Sequence, residues 1–156
     1  RRPTRSMKNL FLPLVLASFA SAQFTSIGTS CNTWGYTCAN NRHPTPGVLV
    51  AAGSTSIGKS YTLEARNQIS GCGTGPSFSI ILTGAQQCSL PFGFQCQLSV
   101  IPFYFHLGTY QLLSIPDNRD LIGLILYHQS YIQFADGFFQ PNWIFTTNGI
   151  VVKINE

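Results

Sequence analysis

The closest pair of acidic side chains in the sequence is Asp117 and Asp120, and paired carboxylates are the groups that share acid and base roles across a glycosidic bond. Here they flank Pro116-Asp117-Asn118, a turn sequence in which Asp is favoured for capping and for turning the chain, so a structural role is expected. One helical turn over Asp117 to Leu121, with Asp117 as its cap, fits the same residues. His128 is the most tempting base. Alternation places it with Ile122, Leu124, Leu126, Ile132 and Phe134 on the expected core face, where a histidine is more often neutral and hydrogen-bonded than catalytic. No G-x-S-x-G nucleophile motif accompanies it. His43 and His106 lie in a loop and on an aromatic strand, with no spacing that joins the three histidines as metal ligands. Gly71-Cys72-Gly73-Thr74-Gly75 lacks the lysine and following helix of a phosphate loop and reads as a turn. The sequence therefore points to no catalytic residues, no metal, no cofactor and no enzyme.

Aromatic side chains supply the remaining binding signal. Phe138, Phe139, Gln140, Asn142 and Trp143 sit in the last long connection, around Pro141. Ring faces stack on sugar C–H groups while amides bond hydroxyls, so this loop is the candidate ligand-binding site, for carbohydrate. Trp34 and Tyr36 could form a similar patch. Anchoring of the loop on a core is the competing expectation, because large aromatics usually bury.

Five cysteines, Cys31, Cys38, Cys72, Cys88 and Cys96, contain no C-x-x-C pair and read as disulfide candidates in an exported chain. The odd number leaves one thiol free or paired outside the chain. Cys31 with Cys38 would close a small loop. A Cys31–Cys96 bridge is the favoured alternative, with Cys88 the nearest rival for Cys96, because it would fix a loop-rich N-terminal segment to a strand.

Export is read from the first residues. After Met7, Lys8 is followed by the apolar run Leu10 to Leu16 and by Ala20-Ser21-Ala22, the n-region, h-region and cleavage site of a secretory signal peptide over residues 7–22. The apolar run falls short of the ~20 residues of a membrane span, so no stable span is expected after processing. Residues 1–6 precede the only methionine and are expected to be upstream or vector-derived. The expected mature chain, 134 residues (156 less 22), is one secreted domain over 23–156. It keeps Arg42, Lys59, Arg66, Arg119 and Lys153 against Glu64, Asp117, Asp120, Asp136 and Glu156, so its net charge is zero. A nucleic-acid partner is excluded on that balance, since such binding needs a basic patch.

The elements that would position these groups are all strands. Residues 23 to 47 read as loop-rich with at most one short strand. Val48 to Ala52 is a short apolar run, and Tyr61 to Arg66 alternates, with Tyr61, Leu63 and Ala65 on one face. Phe78 to Thr83, Gln97 to Ile101, Phe103 to Leu107 and Tyr110 to Ile115 follow, Pro102 marking an edge or a bulge. Leu121 to Phe134 reads as a central strand buried on both faces, with Leu124 in the core. Trp143 to Thr147 and Ile150 to Ile154 close the chain, joined at Asn148-Gly149 by a hairpin turn or by a bulge within one long strand. No helical periodicity occurs outside the signal peptide. The predicted fold is all-β, an antiparallel β-sandwich of jelly-roll or Ig-like type with roughly 7–9 strands.

Several segments carry a resemblance. Gly28-Thr29-Ser30-Cys31, Pro91-Phe92-Gly93 with Cys96, Leu98, Val100 and Pro102, Ile115-Pro116 with Leu121, Gly123, Leu124, Tyr127 and Gln129, and Thr147-Asn148-Gly149 together resemble a pattern of uncharacterised secreted domains in planctomycete-type bacterial proteins. That resemblance implies an all-β secreted fold and brings no activity or catalytic residues. The functional expectation is a non-enzymatic exported β-sandwich with a structural, adhesion or surface-display role, in the cell envelope or outside the cell, with glycan or cell-surface components as partners. A carbohydrate-binding module using the aromatic loop is the alternative, and a small secreted enzyme of unknown type the second.

Overall fold

Tyr61, Leu63 and Ala65 alternate with Thr62, Glu64 and Arg66, and a strand with that pattern must bury one face and leave the other toward water. This is what β4 (Ser60–Arg66) does: the first three side chains are buried, whereas Arg66 is exposed and pairs with Glu64 at 2.8 Å. The computed structural model describes residues 23–28, 31–32, 47–66, 77–92, 96–134 and 143–156. β4 is the middle of a three-stranded antiparallel sheet, between β3 (Val48–Gly53) and β9 (Tyr110–Ser114).

The larger sheet is built on the two longest strands, β10 (Ile125–Phe134) and β11 (Trp143–Lys153). Its order is β1 (Phe24–Ile27), β11, β10, β5 (Ser77–Gly84), β8 (Tyr104–Leu107), all antiparallel, and β2 (Cys31–Asn32) pairs with the far end of β11. Its inner face meets the small sheet. Leu49, Tyr61, Leu63 and Ala65 from one side and Ile81, Ile132, Ile150 and Val152 from the other form one buried cluster, closed at an end by Ile115 and Ile154. The opposite face of the large sheet carries a third layer, the hairpin of β6 (Gln86–Phe92) and β7 (Cys96–Ile101), with β7 lying against β5, β10 and β11. Gly84 is where the hairpin comes closest: a Cβ there would collide with the Ile101 carbonyl and the Val100 side chain. The fold is thus all-β and antiparallel, a sandwich-like pair of sheets with a hairpin laid on its back.

The structure corrects several expectations. There are eleven strands among the described residues, not 7–9. β6 escapes the sequence reading because Gln86, Gln87, Ser89 and Pro91 dilute its apolar pattern, and β1 and β2 because they are short pieces paired onto β11. The central strand begins at Ile125 rather than Leu121: residues 119–121 form a short 3₁₀ helix (Arg119–Leu121) and a turn follows through Gly123, whose φ is +89°. Leu124 is 39 % exposed and does not belong to the core. The cap of the helical turn is Asn118, whose side chain accepts from the Asp120 N–H, and not Asp117. Of the two readings of Asn148-Gly149, the bulge within one long strand is the one found. Gln129 pairs with Gly149 and Tyr131 with Thr146, so β11 passes through with one extra residue. The signal-peptide segment 7–22 and residues 1–6 lie outside the described residues.

Cysteine usage is corrected as well. Cys88 is a free thiol, its Sγ donating to the Leu98 carbonyl at 3.1 Å, which removes it as a disulfide candidate and as a partner for Cys96. Cys96 is buried and disulfide-bonded. Cys38 and Cys72 lie outside the described residues, and Cys31 is placed by its backbone in β2.

Candidate functional site

His128 lies on the inner face of β10, directly opposite Thr83 on β5 and Ile150 on β11, and is fully buried. Its Nε2 stands 3.0 Å from the Tyr61 hydroxyl and its Nδ1 2.9 Å from the Thr83 hydroxyl. One ring nitrogen of a neutral imidazole donates and the other accepts, and hydroxyls at both ends satisfy either tautomer. Burial pushes the imidazole down to about 4 and drives the Tyr61 phenol well up. The imidazole is enclosed within the described residues, with a hydroxyl at each ring nitrogen. It is a polar joint between the two sheets, as its place in the alternation predicts.

The other candidate chemistry is dispersed. Asp117 precedes the 3₁₀ helix and Asp120 lies within it, both exposed, and His106 sits half-buried on β8. His43 and Gly71–Gly75 lie outside the described residues. Among the described residues, no group of three or more His, Cys, Asp and Glu side chains is placed to hold a metal ion.

Two polar side chains, Gln129 and Asn148, act as clamps. Gln129 points to the outer face of β10 and is 1 % exposed. Its Oε1 accepts from Ser99 N–H at 2.8 Å, and its Nε2 donates to the Gln97 and Thr147 carbonyls, both at 3.0 Å. It therefore fastens the β6–β7 hairpin to the sheet at the bulge. Asn148, thrown sideways by that bulge, accepts from Leu49 N–H at 2.9 Å and donates to Ser26 Oγ at 2.9 Å and to the Leu49 carbonyl at 3.3 Å. One side chain thereby ties β3 of the small sheet to β1 of the large one.

The opposite margin of the sandwich has no such tie. There the chain leaves the large sheet at β8, turns at Gly108 (φ +130°) and enters the small sheet as β9. Both are edge strands among the described residues. Phe103, Tyr104, Phe105, Leu107, Tyr110 and Leu112 are all exposed here, Phe103 by 68 % and Phe105 by 66 %. Phe105 and Leu107 pair with Leu82 and Ile80, so their side chains share the outer face of the large sheet with those two. Ile80 and Leu82 in turn line an open cavity of about 410 Å³ with Phe78, Leu98, Gln129 and Tyr131. Phe105 and Leu107 continue the apolar face of the cavity, while Tyr110 and Leu112 alternate with the core-facing Gln111 and Leu113 and so stand on the outer face of the small sheet; the margin is apolar on both outer faces. The signal for it is in the sequence: no Asp, Glu, Lys or Arg occurs from Asn67 to Pro116, and Phe103-Tyr104-Phe105 stands in the middle of that run. Reading each strand for its own alternation overlooks it, because the run spans five strands.

Of the predicted ligand-binding residues, Phe138, Phe139, Gln140 and Asn142 lie outside the described residues, and Trp143 is placed as the first residue of β11, opposite Phe134. Among the described residues no helix is long and apolar enough to cross a membrane. Comparison of the chain with protein-family models, with curated proteins and with solved structures returns no match.

Proposed function

We propose that this is a non-enzymatic exported β-sandwich domain with a structural, adhesion or surface-display role, and that the uncharged apolar margin of β8 and β9 is the surface through which it works. One observation carries the reading: six large apolar side chains stand exposed within ten residues, on edge strands that bear no charge. Natural sheet edges are normally guarded by charged residues, and contiguous apolar patches on a soluble surface mark interaction sites. The buried state of His128 and the scatter of Asp117, Asp120 and His106 leave the described residues without a grouped set of acid, base and nucleophile.

Export is supported by the sequence of residues 7–22, by the resemblance to secreted planctomycete-type domains, and by the bonded state of Cys96. We place the partner of Cys96 at Cys31, because β2 lies against β7. Closing that loop would contribute about 4 kcal/mol in the chain-entropy model. A peptide map of the non-reduced protein should contain a Cys31–Cys96 cross-linked pair and Cys88 as a free thiol. Cys96 linked to Cys38 or Cys72 would refute the pairing.

The functional reading is tested by retention of the purified full chain on cell-envelope fragments of its source. The wild type should be retained and the double variant Phe103→Lys/Phe105→Lys should wash through while keeping its β-sheet circular dichroism. Retention equal in both would remove the margin from the function. Saturable glycan binding lost in Trp143→Ala would instead favour the carbohydrate-binding alternative, and turnover of any substrate lost in His128→Gln would favour an enzyme.

A further inference from the structure

The β8–β9 margin can be assigned a partner, and this step rests on the functional reading just given. The backbone decides the geometry first. Gly108 N–H donates to the Ser79 carbonyl at 2.8 Å, so Gly108 is a hydrogen-bonded pair of the β5–β8 ladder. Antiparallel pairing alternates, which turns His106 toward β5 and leaves the N–H and C=O groups of Phe105 and Leu107 directed away from the sheet. Phe103 N–H is already used, donating to the Thr83 carbonyl at 3.0 Å. The free edge therefore offers two residues with both backbone groups outward and two apolar side chains on one face.

We infer that this edge pairs with the same edge of a second copy of the chain. In a two-fold contact each patch meets itself, so any net charge on it would face a like charge. Between Asn67 and Pro116 there is none to face. The nearest charged residue in register is Glu64, opposite Tyr110, and Arg66 already neutralises it. A charged partner finds nothing complementary here, whereas an identical uncharged edge does. Phe105 and Leu107, 66 % and 60 % exposed, present about 250 Å² on one face when a large side chain is taken as roughly 200 Å². That is well below the roughly 800 Å² each partner brings to a standard interface, so the backbone pairing carries the contact and the association is weak and reversible. Antiparallel pairing across the two-fold axis sets Phe105 of one copy against Leu107 of the other. It forms four new backbone hydrogen bonds and joins the two large sheets into one.

Sedimentation velocity of the full chain, from sub-micromolar to hundreds of micromolar, tests this. A reversible monomer–dimer equilibrium is expected. Phe105→Lys and Leu107→Lys should each raise its dissociation constant by about 100-fold or more. Ile122→Lys, on an exposed turn outside the margin, should leave it unchanged. Hydrogen exchange adds a reading at single residues: the Phe105 and Leu107 amides should slow as concentration rises, and the Leu112 amide should not. A wild type that is monomeric throughout overturns the inference. So does a dimer that survives both lysine substitutions, or one that Ile122→Lys disrupts equally. Envelope retention by a strictly monomeric wild type, still lost in the Phe103→Lys/Phe105→Lys variant, would sink the second copy as partner and leave the functional reading standing.

Discussion

The two margins of this sandwich are closed by different means. At the β1–β3 side, a bulge in β11 turns Asn148 outward, and its amide reaches the backbone of Leu49 and the hydroxyl of Ser26. At the β8–β9 side, the chain crosses between the sheets at Gly108 and leaves an uncharged row of aromatic and aliphatic side chains in water. Polar side chains finish one margin, and nothing within the described chain finishes the other. Where a fold spends side-chain hydrogen bonds on one edge and leaves the opposite edge apolar and bare, the bare edge is the one fitted for a partner.

The largest expected effect tests the core that both margins share. Ile132→Ala should cost about 2–5 kcal/mol, the range for a fully buried aliphatic side chain, whereas Leu124→Ala should stay below about 1 kcal/mol. Denaturant midpoints measure both. Equal losses would mean that the boundary between turn and core is misplaced and that the margins are not built on one cluster.

Acid should weaken the same core through His128. Its folded pKa is depressed to about 4, below the ordinary 6.5, so between those values the unfolded chain binds a proton that the folded chain refuses. The stability involved is fully present above pH 6.5 and is lost as pH falls toward 4, about 3 kcal/mol in all. Unfolding titrations at pH 7 and pH 4.5 should differ in the wild type, and the slope should flatten in His128→Gln. An unchanged slope in that variant would assign the acid sensitivity elsewhere.

Next in size are the clamps on the closed side. Asn148→Ala strips Leu49 N–H of its acceptor, and Gln129→Leu does the same to Ser99 N–H. Each should cost about 1–3 kcal/mol. Hydrogen exchange should then accelerate in β3 for the first variant and in the β6–β7 hairpin for the second. Acceleration spread evenly over both sheets would show that neither residue is a local tie.

How legible this was in the sequence varies from residue to residue for physical reasons. Alternation made β4 and the inner placement of His128 readable, because a half-buried strand must obey a period of two. The same rule failed at Ile122 and Leu124, where apolar side chains continue the pattern into a turn that Gly123 creates at positive φ. Asn148-Gly149 was ambiguous between hairpin and bulge, since only the pairing of Gln129 and Tyr131 with β11 distinguishes them. Gln129 looked like an ordinary polar residue; its clamp depends on Ser99 and Thr147, which lie 30 and 18 residues away. The margin was visible as a charge-free run, but that β8 and β9 end up as edges of two sheets follows only from the topology.

The contrast between the margins is tested most directly by one paired measurement, thermal stability and envelope retention on Phe105→Lys and Asn148→Ala side by side. Phe105→Lys should change stability by no more than about 0.5 kcal/mol, as an exposed side chain does, and should abolish retention. Asn148→Ala should lower stability by about 1–3 kcal/mol and keep retention while folded. Phe105→Lys destabilising as much as Asn148→Ala, or retaining the wild-type interaction, would contradict the assignment of the β8–β9 margin as the working surface.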